Sequence, residues 1–218
     1  MSTTTRFPVR SIERIDAFVR AEAATVLTAA FLDDPVFTWM EPDRAARADT
    51  LPVLFDAFLA AQARHRTADL ARVDGPAAGV ALWVPPGVAA VHADDEPELE
   101  ARLGVLGPAA LARMGACSEA FAAVHPAEPA WYLNFLAVAP SHQGRGIGSA
   151  LLRSVLAQCD VGGEAAYLEA TSERNRALYE RHGFRLIREI PLPDGGPTSY
   201  AMWRDPIMPP GHAWPQQR

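Results

Sequence analysis

Apolar residues recur at helical spacing over residues 12–32, at Ile15, Phe18, Val19, Val26, Leu27, Ala30 and Phe31. Asp33-Asp34-Pro35 marks the end of the helix they predict. A short strand is expected before it, at residues 7–10, and an aromatic loop after it, Val36-Phe37-Thr38-Trp39-Met40. A second helix is predicted over 44–65, with Leu51, Leu54, Phe55, Phe58 and Leu59 on one face. Pro52 within it marks either a kink or the true first turn. The period then becomes strand-like, and residues 69–73 and 80–84 read as a hairpin around Asp74-Gly75-Pro76. Residues 88–126 open acidic and continue in Ala- and Leu-rich helical patterns, so a helical insertion over the sheet or the site is expected there.

The most organised stretch is 131–184. Trp131-Tyr132-Leu133-Asn134-Phe135-Leu136-Ala137-Val138 is an apolar run of strand length, and Pro140, which has no N–H for a ladder, ends it. Gln143-Gly144-Arg145-Gly146-Ile147-Gly148 follows, and a helical pattern begins at once through Ile147, Leu151, Leu152, Val155 and Leu156. A strand over 165–170 and a helix over 173–181 complete a β-α-β-α block. Two more strands, 185–190 and 199–204, flank Pro193-Asp194-Gly195-Gly196. The chain therefore reads as a single α/β domain over residues 1–205, built on a mixed, mostly antiparallel sheet flanked by helices. A Pro-rich tail, 206–218, follows it.

Composition narrows the function classes. A length of 218 residues suits one well-buried domain, and 49% hydrophobic with 21% charged residues is too apolar for disorder. A net charge of −6 gives no footprint for nucleic acid. Cys117 and Cys159 match no metal spacing and are expected to be reduced thiols of a cytoplasmic protein. His65, His125, His142 and His182 have no metal-ligand spacing either and read as surface or loop residues, so no metal is expected. No apolar run reaches the roughly 18 residues of a membrane span, and the N-terminus lacks a signal-peptide pattern.

Strand, glycine-rich turn and helix together aim several backbone N–H groups, and the positive end of a helix dipole, at one point suited to phosphate. A P-loop needs Gly-Lys-Ser/Thr, and the chain has no lysine. The dinucleotide fingerprint would use Gly144 and Gly146 but meets Ser149 where its third glycine belongs. Gln143-x-x-Gly146-x-Gly148 resembles instead the pyrophosphate loop of the GNAT superfamily of N-acetyltransferases. The string from Asn175 to Phe184 resembles the second half of that family's signature. The resemblance is specific from His125 to Phe184. Within it, His125–Leu133, Leu168–Ser172 and Tyr179–Arg181 are similar to puromycin N-acetyltransferase-like members.

The resemblance implies a GNAT fold, acetyl-CoA as donor, and transfer of acetyl to a primary amine of a small molecule. It places the pantetheine arm along Leu136, Ala137 and Val138, where that strand splays from the one at 165–170. The pyrophosphate then falls on Gln143, Gly144, Arg145, Gly146, Ile147, Gly148 and Ser149. Asn175 would contact the arm, and Tyr179 would protonate the leaving thiolate, the competing reading being a core tyrosine. Glu169, at a strand end beside the cleft, is the candidate general base, unless it only pairs with an arginine. Asn134 is the polar residue of the other splayed strand. Phe37, Trp39 and Trp83 are expected to wall an acceptor pocket, although isolated aromatics are more often core. A non-catalytic acetyl-CoA sensor and a protein or peptide acetyltransferase stay open, as do monomer and homodimer.

Overall fold

The computed structural model describes residues 11–208. In chain order the elements are β1 (Ser11–Arg14), α1 (Arg20–Phe31), α2 (Pro35–Met40), α3 (Arg44–Ala61), β2 (Ala68–Arg72), β3 (Ala77–Val84), α4 (Glu96–Leu103) and α5 (Pro108–Ala122). There follow β4 (Ala130–Val138), α6 (Ile147–Gly162), β5 (Ala165–Ala170), α7 (Glu173–Glu180), β6 (Arg185–Pro191) and β7 (Thr198–Arg204). The seven strands form one sheet in the order β1-β2-β3-β4-β5-β7-β6. Only β4 and β5 run parallel; the other pairs are antiparallel, which gives the mixed α/β sheet expected.

Alternation along β3 sorts the core into two layers. Val80 and Leu82 face the N-terminal helices, packing with Leu27, Phe31, Leu54 and Phe55. Ala81 and Trp83 face the opposite way, onto Leu151, Leu152 and Val155 of α6. The sheet is therefore covered on both faces.

Two expectations change in the N-terminal third, and one falls beyond the described residues. The strand expected at 7–10 lies outside the described residues. The helix does not start near Ile12: Ser11–Arg14 pairs antiparallel with β2, and the Asp16 carboxylate accepts from the amides of Phe18 and Val19 to form the turn into α1. The aromatic stretch is not a loop but the helix α2. Asp34 is its N-cap, accepting from Val36 N at 2.9 Å and Phe37 N at 3.4 Å, and Pro35 occupies the first helical position. The buried Arg47 guanidinium then donates to the carbonyls of Leu32, Glu41 and Pro42, fixing the corner between α1, α2 and α3. Pro52 lies inside α3, so the helix runs through it.

Residues 88–126 carry α4 and α5. Through Leu103, Leu106, Ala110 and Cys117 they join the same core layer as α1 and α3. Among the described residues no helix is long and apolar enough to cross a membrane.

Candidate active site

The site grows from one break in the sheet. β4 and β5 pair from Ala130↔Ala165 to Leu133↔Leu168, and then the ladder ends. Beyond it β4 continues to Val138 beside β3, while Glu169 and Ala170 of β5 pair only with β7. A bulge sharpens the divergence: Leu82 faces Phe135 and Trp83 faces Leu133, leaving Asn134 as the extra residue on β4. The two parallel strands thus form a fork, with unladdered β4 backbone from Asn134 onward along one arm.

α6 starts at the mouth of this fork. Gly144 and Gly146 have φ of +74° and +81°, a left-handed backbone that L side chains rarely adopt, and Gly146 is the N-cap. The Ala150 amide makes the bond to Gly146 O, so the amides of Ile147, Gly148 and Ser149 are the unpartnered first turn of a helix. Gln143 ties the loop to β4 by donating to Val138 O at 3.2 Å, and it accepts from Arg174 at the same distance. His182, expected on the surface, is half-buried, and its Nε2 lies 2.9 Å from Ser149 Oγ. Burial and the nearby Arg153, Arg181 and Arg204 hold its pKa below the usual histidine value.

Inside the fork a cavity of about 730 Å³ runs between the sheet, α5 and α7. Leu136, Asn175 and Tyr179 line it together with Asn134, Phe37 and Glu169, so six of the residues singled out in the sequence share one space. Trp39 and Trp83 are not among its lining residues. Trp83 is 1% exposed and packs beneath the sheet against α6, because the alternation that turns Leu82 toward the cavity layer turns its neighbour away. Trp39 packs on the N-terminal core, and its ring abuts the backbone of Gly196 in the β6–β7 turn. Phe37 does both jobs weighed for it: it stacks edge-to-face on Phe31 at 5.3 Å and also walls the cavity.

α7 is set by the Ser172 hydroxyl, which caps it by accepting from Asn175 N at 3.2 Å. Asn175 Nδ2 donates to Thr171 Oγ1 at 3.4 Å, and Tyr179 follows one turn later. Burial, and then the charge of Asp34, pushes the Tyr179 phenol well above its ordinary pKa. It stays protonated through the neutral range.

Glu169 pairs with no arginine. Its side chain is 2% exposed, its Oε1 accepts no hydrogen bond, and the nearest basic atom is His125 Nδ1 at 3.9 Å. His125, also read as a plain surface residue, flanks the cavity and stacks edge-on against Tyr132 at 5.1 Å and Tyr167 at 4.7 Å. Burial raises both phenols, and the Glu169 carboxylate raises them further. No motif or spacing singled out His125 and Tyr132 as lining residues, or Tyr167 as the buried ring behind them. Among the described residues no group of three or more metal-ligating side chains converges.

Residues 108–186 match the acetyltransferase (GNAT) domain. The whole chain is similar to a solved Corynebacterium glutamicum protein described as histone acetyltransferase HPA2 and related acetyltransferase. The two share 32% identity over 92% of this chain and 98% of that one, with a TM-score of 0.69. The chain belongs to the GNAT acetyltransferase family. A GNAT likeness of fold alone extends to arylalkylamine N-acetyltransferase 2 from Aedes aegypti, at 15% identity over 89% of this chain and 98% of that one, TM-score 0.65. It extends also to the Drosophila melanogaster polyamine N-acetyltransferase, at 18% identity over 89% and 99% of the two chains, TM-score 0.61. An uncharacterized N-acetyltransferase of Schizosaccharomyces pombe is 36% identical over 62 residues, 28% of this chain. That match spans a quarter of the relative's own length. GNAT enzymes use acetyl-CoA. The paired glycines, the open first turn of α6 and the unladdered arm of β4 fit the pyrophosphate and pantetheine of that donor.

Proposed function

We propose that the protein transfers the acetyl group of acetyl-CoA to a primary amine of a small molecule, by direct attack of the amine on the thioester. The observation that carries this reading is the fork itself, which brings Tyr179, Asn175 and Glu169 to one cavity together with Leu136 of the β4 arm that runs on toward the α6 loop. In this reading the amides of residues 144–149, with Gln143 and Arg145, hold the pyrophosphate. The backbone of Leu136–Val138 and the Asn175 side chain hold the pantetheine arm, and Asn134, at the bulge, orients the acceptor.

Glu169 takes a proton from the acceptor's ammonium. The nitrogen lone pair then forms the C–N bond and the C–S bond breaks. Tyr179 gives its proton to the departing sulfur and regains one from the nitrogen that attacked. A side-chain base is needed if the acceptor is an alkyl amine of pKa about 10, which is less than roughly a thousandth neutral at pH 7.

The largely apolar lining of the cavity supports a small acceptor, and the stretches similar to puromycin N-acetyltransferase place puromycin in the test panel. A protein amine is the second reading, favoured by the description of the C. glutamicum relative. The test is calorimetric titration with acetyl-CoA, with NAD as control, followed by thiol release over small amines and an N-terminal peptide. Acetyl-CoA binding with turnover of a small amine is expected. Turnover of the peptide alone would move the acceptor to protein, binding without any turnover would leave a sensor, and no binding would overturn the reading.

A further inference from the structure

Resting on that reading, we infer that the acceptor is an amine with a bulky apolar or aromatic body and no carboxylate near its nitrogen, its ammonium seated on Glu169. Glu169 is a buried carboxyl group beside the Tyr132 and Tyr167 phenols, with a side chain 2% exposed and an Oε1 that accepts no hydrogen bond. A buried charge of this kind is stable only when a cation, or a proton, completes it. His125 approaches to 3.9 Å from a half-exposed position, and Glu169 itself lines the cavity, where a ligand cation can meet it.

The surroundings of Glu169 suit an ammonium. The rings of His125 and Tyr132 line the cavity, and the buried Tyr167 ring packs against both, with centroids 4.7 to 5.9 Å apart. Burial and the nearby carboxylate hold both phenols in their neutral form, so no second anion competes for the site.

The rest of the wall decides what else the acceptor carries. Among the described lining residues there is no arginine, and the chain has no lysine. The other acidic side chain at the cavity is Glu128. A carboxylate beside the acceptor nitrogen would find no arginine or lysine to pair with and would face Glu169 across the same small space. Phe37, Phe58, Met114 and Phe121 supply an apolar wall instead, and about 730 Å³ leaves room for a ring system after the pantetheine arm has entered. Amino acids and short aliphatic amines are therefore poor acceptors, and arylalkyl or similarly large amines good ones.

The test compares ligands that differ in one group each: 2-phenylethylamine, phenylalanine, phenylalaninamide and ethylamine. Their affinities are measured by calorimetry on the protein loaded with coenzyme A, which cannot react. Phenylethylamine and phenylalaninamide are expected to bind at least about 100-fold tighter than phenylalanine, the size expected when a like charge is forced together in a site of this kind. Ethylamine should bind at least about 10-fold more weakly than phenylethylamine through lost apolar burial. Glu169→Gln, which keeps shape, should weaken phenylethylamine at least about 10-fold while leaving coenzyme A affinity unchanged; because no chemistry occurs, this reads recognition and not base catalysis. Met114→Trp should lower phenylethylamine affinity and spare ethylamine. Equal binding of phenylalanine and phenylethylamine, or no effect of Glu169→Gln, would overturn the inference. Failure of coenzyme A to bind would sink the acetyl-transfer reading instead, and the same four ligands titrated onto the protein alone would still decide this one.

Discussion

The Thr171 hydroxyl donates to Asp34 Oδ2 at 2.6 Å, across 137 residues of sequence. Through Oδ1 the same carboxylate caps α2, which carries Phe37, while Thr171 accepts from Asn175 on α7. One buried side chain thereby ties the cavity wall to the element that carries Tyr179. Asp34→Asn puts a donor where Thr171 needs an acceptor and should cost about 1–3 kcal/mol in chemical denaturation. Burial raises the Asp34 pKa in the folded protein, more than its hydrogen bonds lower it. A raised carboxyl favours the fold below its unfolded pKa of about 3.9, and that advantage is lost as pH rises through the folded value. The stability gap between wild type and Asp34→Asn should therefore narrow from pH 4 upward; a gap that widens would contradict the assignment.

Tyr179→Phe removes the proposed acid without changing shape. Turnover in the thiol-release assay should fall about 100-fold, with the acetyl-CoA dissociation constant within about twofold of wild type. In the unaltered enzyme the raised phenol should impose no loss of rate on the alkaline side up to about pH 10. Parallel loss of binding and turnover in the variant would make Tyr179 a packing residue.

Gly148 offers a cleaner probe of the donor site than the left-handed glycines of the loop. A Cβ there would sit 3.6 Å from Leu178 and Val138, an ordinary contact, and would point into the fork. Gly148→Ala should leave thermal stability unchanged or raise it by up to about 1 kcal/mol, through helix propensity. Acetyl-CoA affinity should nevertheless drop at least about 10-fold, as expected where glycine permits close approach of a phosphate-bearing ligand. Unchanged affinity would remove the α6 turn from the donor site.

The two aromatics that sequence reasoning grouped together should separate in experiment. Trp83→Phe leaves a void beneath the sheet and should destabilise by about 1–3 kcal/mol with no change in acceptor KM. Phe37→Leu should raise acceptor KM severalfold, since Phe37 walls the cavity. Steady-state kinetics beside a denaturation curve checks both, and a larger KM effect at Trp83 would refute the division.

The glycine spacing, the apolar strand before it and the Asn175–Phe184 string were legible as residues because each is a local pattern with a local physical cause. Positive φ at Gly144 and Gly146, a helix dipole aimed at the loop, and helical spacing between Asn175 and Tyr179 all follow from a few consecutive residues. The α/β class and the order of most elements were readable for the same reason. What tertiary structure alone decided depends on where one residue meets another far away. The end of the β4–β5 ladder at Leu133↔Leu168, and the bulge at Asn134, open the fork. Strand alternation puts Trp83 under the sheet and Leu82 above it, and neither residue type carries that information. Asp34 reads locally as the end of a helix, yet it caps the next one and holds Thr171. Glu169 gains its character from burial beside His125, Tyr132 and Tyr167. These lie on β4, β5 and the turn after α5, and only the folded sheet brings them together.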